Sequence, residues 1–376
     1  MFYKNARIYG SDFQFHIGAF EVREDGHFGA VLPESIPADA IDLQGATVIP
    51  GLVDVHIHGA MGADFSDGDA QGITEMAEYL LREGVTAFAP ASMTLPYEVL
   101  EKAFATAASV QAQQAEDQAR LMGIHMEGPY FSEKKKGAQN GAYLKTPDFA
   151  GFKALQESCG GLVKIVDVAP ELPGAAEFVE QAKTLCTVSV AHTDSDYDHA
   201  KAAYDAGATH LTHLYNAMPG IHHRNPGVIP AAAENKNVRA ELICDGMHVH
   251  PASVRLAFSM FGPERMVLIS DALRCCGMPD GEYELGGQQV FLSGGVARLA
   301  DGTIAGSATN LFGCMRKAME FGIAEEAAVR AATYNPACAI GQQAQIGSIA
   351  TGKLADFVVC SPNYTAKRVF RGGKEI

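Results

Sequence analysis

Side chains that could bind a metal ion stand at the ends of several short apolar segments. The first segment ends in HIH, which supplies His56 and His58. The third ends in HMEG, which contains Glu127, and the fifth and sixth end at His192 and His213. Imidazole and carboxylate groups are usual ligands of Zn²⁺ and of other divalent transition metals in proteins. This set of residues therefore predicts a site for one or two divalent metal ions.

A carboxylate, Asp271, stands at the end of the eighth apolar segment. A carboxylate beside a metal-activated water can take its proton and pass that proton to a leaving group. An aspartate at the end of a strand can also cap a helix or form a salt bridge. Because it occurs together with the metal-ligand set, we interpret Asp271 as a general acid and base.

Eight apolar segments alternate with amphipathic stretches or long loops through the middle of the chain, which is typical of an α/β fold. The segments are Val48–His58, Val85–Ala91, Leu121–Glu127, Val163–Ala169, Thr187–His192, Thr209–His213, Arg239–Asp245 and Met266–Asp271. Eight units favour a (β/α)8 TIM-like barrel, in which the carboxyl ends of all strands meet at one face. A doubly wound sheet would need a glycine-rich phosphate loop after the first strand, and Asp54–Gly59 (DVHIHG) is not one.

The spacing of the histidines predicts where their side chains point. His56 and His58 are two residues apart, so on a strand both face the same side, toward the barrel axis. A lone histidine would more often be a hydrogen-bonded core residue, but five ligand-type residues at strand ends do not fit an apolar core. By the same period His210, three residues before His213, is predicted to face the surrounding helices, as a core or solvent-exposed residue rather than a site residue.

Both ends of the chain contain short β-type segments, which predicts one small domain built from the two termini. Residues 1–50 and 345–376 are expected to form a small β-sandwich domain, and residues 51–344 the barrel. The carboxy-terminal segments include Ala355–Cys360 and Ala366–Phe370. A glycine-rich insertion, residues 277–306, follows the eighth barrel strand and is expected to form one or two hairpins.

Composition excludes several classes of partner. Among 376 residues there are 29 Lys and Arg against 44 Asp and Glu, a net charge of −15, which disfavours nucleic-acid binding. An anionic substrate would therefore depend on a few local positive charges. No apolar run reaches the roughly 18 residues of a membrane span. The 8 cysteines are scattered without a CxxC motif, as expected for reduced thiols of a cytoplasmic protein.

The motifs around the candidate residues resemble the amidohydrolase superfamily and, within it, the N-acetylglucosamine-6-phosphate deacetylases. The resemblance extends from PGLVDVHIHG near residue 50 to GSIATGKLADFVV near the carboxyl end, through HMEGP, AHTD, HLYNAMPG, DGMHV and SDA. Many superfamily members bridge two metals with a carbamylated lysine at the end of strand four. That strand ends here in Val168–Glu171 without a lysine. The deacetylases use instead the glutamate that matches Glu127.

The resemblance implies the metal-dependent hydrolysis of the acetamide of N-acetylglucosamine 6-phosphate to glucosamine 6-phosphate and acetate. It matches Glu127, His192 and His213 to one metal site, and His56 and His58 to a second site that only some members have. Asp271 matches the catalytic acid and base, and His248 matches a histidine that contacts the substrate and polarises the acetamide carbonyl. Further substrate contacts match Ala138, Asn216, Ala217, Ile304, Ala305 and Gly306.

Phosphate binding is the remaining implication of the resemblance. Arg224, in HHRNPG, matches the arginine that binds the substrate phosphate, which in relatives reaches across a dimer interface. A homodimer is therefore expected. The chain departs from the family at KGAQ, where Gln139 stands in place of a common histidine.

Three alternatives stay open. Zinc is the expected metal, but iron, manganese and cobalt also accept imidazole and carboxylate ligands. The substrate could be another N-acetylhexosamine phosphate, such as N-acetylgalactosamine 6-phosphate. A protein of a different class, a non-catalytic binding protein on the amidohydrolase fold, would usually have lost ligands that are all present here.

Overall fold

A computed structural model of the protein describes residues 1–364 and 367–376. The amino-terminal strands are β1 (Phe2–Tyr9), β2 (Phe15–Val22), β3 (Phe28–Val31), β4 (Ile41–Asp42) and β5 (Thr47–Pro50). The central strands are β6 (Leu52–Ile57), β7 (Gly59–Ala60), β8 (Ala63–Asp64), β9 (Val85–Pro90), β10 (Arg120–Leu121), β11 (Ile124–Met126), β12 (Val163–Val168), β13 (Thr187–Val190), β14 (His210–Leu211), β15 (Arg239–Ile243) and β16 (Met266–Ile269). The last strands are β17 (Gly281–Leu285), β18 (Gln288–Ser293), β19 (Val296–Leu299), β20 (Ile304–Ser307), β21 (Phe357–Cys360), β22 (Lys367–Arg371) and β23 (Lys374–Glu375).

Helices lie between most of the central strands and after the last of them. They are α1 (Ala70–Arg82), α2 (Tyr97–Ala112), α3 (Phe149–Ser158), α4 (Ala175–Ala182), α5 (Tyr197–Ala206), α6 (Val228–Glu234), α7 (Pro251–Phe261), α8 (Leu311–Glu320), α9 (Glu325–Ala332) and α10 (Tyr334–Ala339). Several begin at a short polar side chain that accepts backbone N–H groups. Asp69 caps α1, Asp196 caps α5 and Asn310 caps α8. These caps satisfy donors that the first helical turn leaves without partners.

The central strands pair in parallel. Strands β11 to β16 form one six-stranded sheet in chain order, and β10, β9 and β6 form a second sheet. Backbone hydrogen bonds join the two sheets on both sides: Ser92 N donates to His125 O at 3.0 Å, and Asp271 N donates to His56 O at 2.9 Å. The carboxyl ends of β6, β9 and β11 to β16 therefore lie at the same end of the fold.

Two predicted strands are divided in the structure. The apolar run Val48–His58 contains β5, which pairs with β1 and β21, and β6, which pairs with β9. The run Leu121–Glu127 contains β10, paired with β9, and β11, paired with β12. Gly123 lies at this second division, where an added Cβ would stand 2.5 Å from Lys164 Cγ. The close approach of the β12 lysine explains why a residue without a side chain occupies this position between the two strands.

The terminal strands form a single sheet in the order β23, β22, β21, β5, β1, β2, β3, with β4 beside β1. Of the predicted segment Ala366–Phe370, Ala366 lies outside the described residues. Strands β2 and β21 are separated by β5 and β1, yet the rings of Phe20 and Phe357 are 5.1 Å apart. The sheet therefore bends over its own aromatic core, to which Tyr3, Phe28 and Phe370 also contribute.

Replacing Phe357 by alanine is expected to lower the free energy of unfolding by about 3–5 kcal/mol, because it leaves a cavity in this core. Phe357 is fully buried and stacks on Phe370 at 4.4 Å between ring centroids. Denaturant unfolding followed by circular dichroism measures the change. Ile17→Ala is the control, since Ile17 is 76% exposed in the same sheet and its truncation should cost under about 0.5 kcal/mol. Equal effects of the two variants would contradict the packing described here.

The glycine-rich insertion forms a four-stranded antiparallel sheet, β17 to β20. Its inner residues, among them Leu285 and Val290, pack against Met93 after β9 and Leu273 after β16. Gln288 Nε2 donates a hydrogen bond to Ala138 O. The insertion thus covers the carboxyl ends of the parallel strands, where the candidate residues lie.

Two sequence expectations concern the whole chain. All 8 cysteines lie in the described part of the protein and are free. Within that same part, no helix combines the length and the apolar character that crossing a bilayer requires.

Candidate metal centre and active site

The residues predicted to bind metal lie together at the carboxyl ends of the parallel strands. His56 is on β6 and His58 directly follows it, whereas Glu127 directly follows β11. His192 and His213 each come two residues after the end of their strand, β13 and β14. The fold therefore brings together residues that are up to 157 positions apart in the sequence.

Glu127 is at the centre of the cluster. Its Oε1 is 3.0 Å from His192 Nε2 and 3.1 Å from His213 Nε2, and these two ring nitrogens are 3.1 Å apart. On the other side, Glu127 Oε2 is 3.3 Å from His58 Nε2, and Oε1 is 3.6 Å from His56 Nε2. One carboxylate thus lies within 3.6 Å of four imidazoles.

The donor atoms fit a divalent cation. Ligand atoms of Glu127, His192 and His213 lie within 4.8 Å of one another, and so do those of His56, His58 and Glu127. His56 Nε2 is buried, and within residues 1–364 and 367–376 no side chain or backbone group hydrogen-bonds it. An unpaired buried nitrogen is costly in a protein interior, and a metal ion would satisfy it.

The charges of the cluster also suit a cation. Burial raises the pKa of the Glu127 carboxyl, but hydrogen bonds from His192, His213 and His58 outweigh it and hold the pKa well below its usual range. Burial lowers the pKa of the His213 imidazole, yet its hydrogen bond to Glu127 prevails and raises the pKa to about 9. The raised pKa values of His213 and His58 favour their protonated forms in the metal-free protein, which balance the carboxylate. A bound cation would take over that role and release the protons.

Asp271 lies beside the second pair of histidines. Its Oδ1 is 3.4 Å from His58 Nε2 and 3.7 Å from His56 Nε2. Burial raises the pKa of the Asp271 carboxyl, but the hydrogen bond from His58 and the nearby imidazole charges bring the pKa below its usual value. The carboxylate is therefore ionised at neutral pH and able to accept a proton.

The backbone at three of these residues is in the left-handed region, which side-chain-bearing residues rarely adopt. The φ angles are 42° at His192, 29° at His213 and 47° at Asp271. Such conformations cost on the order of 1–3 kcal/mol each and persist where the surrounding structure imposes them. The three side chains are thus held at the site by the fold rather than by local preference.

His248, on the loop between β15 and α7, is fixed by Asp245. The ring Nδ1 donates to Asp245 Oδ2 at 2.7 Å, and the His248 backbone N–H donates to Asp245 Oδ1 at 2.9 Å. Burial raises the pKa of Asp245, but these hydrogen bonds outweigh burial and bring the pKa below its usual value. Nδ1 is therefore occupied by Asp245, and Nε2 is the ring atom left for a ligand in the cavity.

A cavity of about 180 Å³ opens beside the metal cluster and the residues around it. Among its lining residues are the substrate contacts predicted from the resemblance: Ala138, Asn216, Ala217, His248, Ile304, Ala305 and Gly306. The sequence analysis did not assign five further lining residues to the site, namely Met93, Gly137, Ile243, Leu285 and Thr303. Met93 and Leu285 are apolar residues of the covering cluster, and apolar residues in loops and hairpins carry no chemical signal in a sequence.

Arg224 does not line this cavity. It is on an exposed loop together with His222 and His223, between β14 and α6. Within one chain, the structure therefore does not bring Arg224 to the other candidate residues.

Gln139, the departure from the family pattern, is a buried part of the cluster. Its Nε2 donates to Glu127 Oε2 at 2.6 Å, and its Oε1 accepts the Thr94 backbone N–H at 2.7 Å. The Thr94 bond settles which end of the amide faces Glu127. Gln139 therefore orients the central carboxylate as well as lining the cavity.

The predicted direction of the His210 side chain is wrong, although the residue is in the core. Its side chain does not face the helices but is fully buried among the parallel strands, with Nε2 3.0 Å from Glu241 Oε1. The strand β14 ends at Leu211, so the period of two does not continue to His213, which lies in a turn. The simple alternation rule fails because the two histidines are not on one regular strand.

Comparisons with known proteins agree with this geometry. The sequence pattern of the amidohydrolase family matches residues 47–376. The N-acetylglucosamine-6-phosphate deacetylase of Bacillus subtilis strain 168 is 38% identical over 329 residues, covering 86% of this chain and 82% of that protein. The N-acetylgalactosamine-6-phosphate deacetylase of Escherichia coli O157:H7 is 33% identical over 352 residues, covering 93% and 92%.

A solved structure is similar over the whole chain. It is a mutant N-acetyl-D-glucosamine-6-phosphate deacetylase from Mycobacterium smegmatis in complex with N-acetyl-D-glucosamine-6-phosphate. The TM-score is 0.93 and the identity 34%, and the match covers 100% of this chain and 98% of that one. The family pattern, the relatives and the shared structure lead to one conclusion: the chain belongs to the amidohydrolase family.

Proposed function

We propose that the protein hydrolyses the acetamide of N-acetylglucosamine 6-phosphate to glucosamine 6-phosphate and acetate, with the help of one or two divalent metal ions. The observation that carries this proposal is the cluster of four imidazoles around Glu127, with Asp271 beside it, at one cavity. Relatives that are 38% and 36% identical bear the name of this deacetylase. Acetate release from the sugar phosphate by the purified protein is the direct test.

Glu127, His192 and His213 would hold one ion, and His56 and His58 would hold a second together with Glu127. We propose zinc, whose catalytic sites commonly have histidine and carboxylate ligands. A cation bound there supplies Lewis-acid polarisation of the acetamide carbonyl and lowers the pKa of a water molecule.

Asp271 would move the protons of the reaction. As an ionised carboxylate at the edge of the cluster, it accepts a proton from the attacking water and then delivers it to the amine nitrogen of the sugar. In its doubly protonated form, His248 would donate from Nε2 to the acetamide oxygen while Asp245 accepts from Nδ1 and balances the charge. Charge develops on that oxygen in the transition state, so a fixed donor there stabilises it.

Arg224 would bind the phosphate in the site of a second subunit. Its exposure on the loop before α6, away from its own cavity, supports this assignment. A guanidinium suits a phosphate dianion because it offers paired N–H donors. In a protein of net charge −15, such a local positive charge is needed for an anionic substrate. The active form in this proposal is a homodimer.

Replacing Arg224 by alanine is expected to raise KM for N-acetylglucosamine 6-phosphate by at least about 30-fold, the equivalent of about 2 kcal/mol for a lost charge-assisted contact. KM for unphosphorylated N-acetylglucosamine should change by less than about threefold, since that sugar has no group for Arg224 to bind. Arg255→Ala, at an exposed arginine on α7 that donates to Phe321 O at 2.9 Å, is the control. Equal changes of KM for both sugars would contradict the phosphate role.

Mixing subunits tests whether the site is shared. An Arg224→Ala subunit paired with an Asp271→Asn subunit would contain one intact site, with Asp271 from one chain and Arg224 from the other. At a substrate concentration well below the KM of the Arg224→Ala variant, activity should then rise when the two impaired variants exchange subunits. Exchange without recovered activity would place Arg224 in the site of its own chain.

N-acetylgalactosamine 6-phosphate is the second candidate substrate. One relative, 33% identical over 93% of this chain, is named as its deacetylase. The two sugars differ in the orientation of one hydroxyl group, which the covering sheet and the loops of the cavity would recognise. Values of kcat/KM for both sugar phosphates decide between them, and we expect the higher value for the glucosamine derivative.

The proposal extends to the fold and to the location of the protein. We propose that the parallel strands close into a (β/α)8 barrel over residues 51–344, supported by the hydrogen bonds that join both sides of the two sheets. We also propose that residues 1–50 and 345–376 form a β-sandwich-like domain, supported by the sheet that bends over its aromatic core. A cytoplasmic location stays a prediction from the sequence.

A further inference from the structure

A second carboxylate, Glu241, lies directly beneath the metal cluster. It is on β15 and is fully buried. Its Oε2 accepts hydrogen bonds from His56 Nδ1 at 3.0 Å and from the His213 backbone N–H at 3.3 Å. Its Oε1 is 3.0 Å from His210 Nε2. Glu241 thus touches one residue of each proposed metal site without facing the cavity.

We propose that Glu241 is a positioning residue that keeps the proton of His56 on Nδ1 and so makes His56 Nε2 a ligand of a second metal ion. The inference rests on the metal site of the proposed function. It adds a commitment that the family resemblance leaves open, namely that both metal positions are built in this chain.

The hydrogen-bond donors around Glu241 determine the tautomer of His56. The backbone N–H of His213 can only donate, so Oε2 must be an acceptor. An acceptor at 3.0 Å from His56 Nδ1 requires the proton to be on that nitrogen. The lone pair of a neutral His56 is then on Nε2, which points between Glu127 Oε1 at 3.6 Å and Asp271 Oδ1 at 3.7 Å.

The distances around His56 Nε2 are longer than hydrogen bonds, and this nitrogen has no hydrogen-bond partner among the described residues. His58 Nε2 points to the same two carboxylates, at 3.3 Å from Glu127 and 3.4 Å from Asp271. Two imidazole nitrogens and three carboxylate oxygens, Glu127 Oε1 and Oε2 and Asp271 Oδ1, therefore lie close together. A carboxylate that accepts the second ring proton of a metal-binding histidine fixes its orientation and raises its basicity.

A neighbouring pair shows that a buried carboxylate–imidazole contact alone does not create such a site. Asp167 Oδ1 is 2.9 Å from His125 Nε2, and the other ring nitrogen of His125 donates to Val55 O at 3.0 Å. Both nitrogens of His125 are used within the protein, whereas His56 keeps one free. The Asp167–His125 pair is as fully buried as the Glu241–His56 pair, so a variant of Asp167 is a matched control for a variant of Glu241.

The test compares Zn²⁺ binding by the wild type, Glu241→Gln and Asp167→Asn, measured by competition with a chromophoric chelator. The glutamine amide keeps the volume of Glu241 but removes its charge. Its NH₂ group would also face one of the three N–H donors, which are on the His56 ring, the His210 ring and the His213 backbone. We expect at least a tenfold loss of affinity for the second ion, since losses of about 10–100-fold are typical of such partners. The first ion should be bound as in the wild type, and Asp167→Asn should bind both ions normally.

The outcomes separate this inference from the proposed function. Two ions bound by Glu241→Gln with wild-type affinity would overturn the role of Glu241, and so would a wild type that binds only one ion. In both cases the proposed function, metal-dependent deacetylation, would remain supported. A wild type that binds no Zn²⁺ would overturn the proposed metal site itself.

A second measurement does not depend on a variant of Glu241 that folds. In the wild type labelled with ¹⁵N-histidine, long-range proton–nitrogen spectra report which ring nitrogen of His56 carries the proton. The signals of His56 are identified by their absence from the spectrum of the His56→Gln variant. We expect a proton on Nδ1 both before and after Zn²⁺ is added, with Nε2 shifting on addition; a proton on Nε2 with none on Nδ1 would overturn the inference.

Discussion

Replacing Asp271 by asparagine is expected to lower kcat by about 10²–10⁴-fold, the usual cost of losing a general acid and base. Asparagine is almost isosteric with aspartate, so packing at this buried position should survive. Its amide cannot accept a proton from water at neutral pH or return one to the amine nitrogen. Steady-state turnover of N-acetylglucosamine 6-phosphate measures the loss, and KM should change little because the substrate contacts remain.

Asp64→Asn is the matched control for this variant. Asp64 is another buried carboxylate near the site, and it accepts the Ser66 backbone N–H at 2.9 Å, which asparagine can also do. Its kcat should stay within about threefold of the wild-type value, as expected for a residue outside the reacting groups. If Asp271→Asn kept more than about a tenth of the wild-type kcat, another residue would have to move the protons.

Replacing Glu127 by glutamine is expected to remove the bound metal and to lower kcat/KM by at least about 10³-fold, since Lewis-acid catalysis supplies several kcal/mol. Glu127 belongs to both proposed metal sites, the one with His192 and His213 and the one with His56 and His58. A neutral amide is a poor ligand, and its NH₂ group would face imidazole nitrogens or the Gln139 amide, which is 2.6 Å from Oε2. Elemental analysis after gel filtration and turnover measurements on the same sample check both effects.

Glu171→Gln provides the comparison for Glu127→Gln. Glu171 accepts hydrogen bonds from Thr193 Oγ1 at 2.6 Å and from the Asp194 backbone at 2.7 Å, on the loop that follows His192. Glu171 supports the loop after His192 but lies outside the metal cluster, so the Glu171→Gln protein should keep its bound metal. A Glu127→Gln protein with wild-type metal content would show that Glu127 is not a ligand.

Residues at the ends of apolar segments could be found from the sequence because parallel strands bring their carboxyl ends together. His56, Glu127, His192 and His213 each end such a segment, and the structure places them within hydrogen-bond range of one another or close to it. The strand signal is local and strong, and the geometry of a parallel sheet supplies the rest. The sequence also indicated the glycine-rich insertion, whose four strands cover the site.

Contacts between side chains that are distant in the sequence could not be predicted in this way. Glu241 is within the apolar run of β15, and nothing local shows that it meets His56, 185 positions earlier. Gln139 was visible only as a departure from a family pattern, and its bond to Glu127 depends on how the loop after β11 folds back. His210 was assigned to the wrong side because the regular strand ends before His213.

Metal titration of the chelator-treated protein, with acetate release from N-acetylglucosamine 6-phosphate as the readout, tests the central claim most directly. The account predicts no acetate without metal, a rise in rate with each equivalent of Zn²⁺ added, and a plateau at one or two ions per chain. Equimolar glucosamine 6-phosphate should appear with the acetate. A rate that does not depend on metal, or no acetate from the fully loaded protein, would contradict the account.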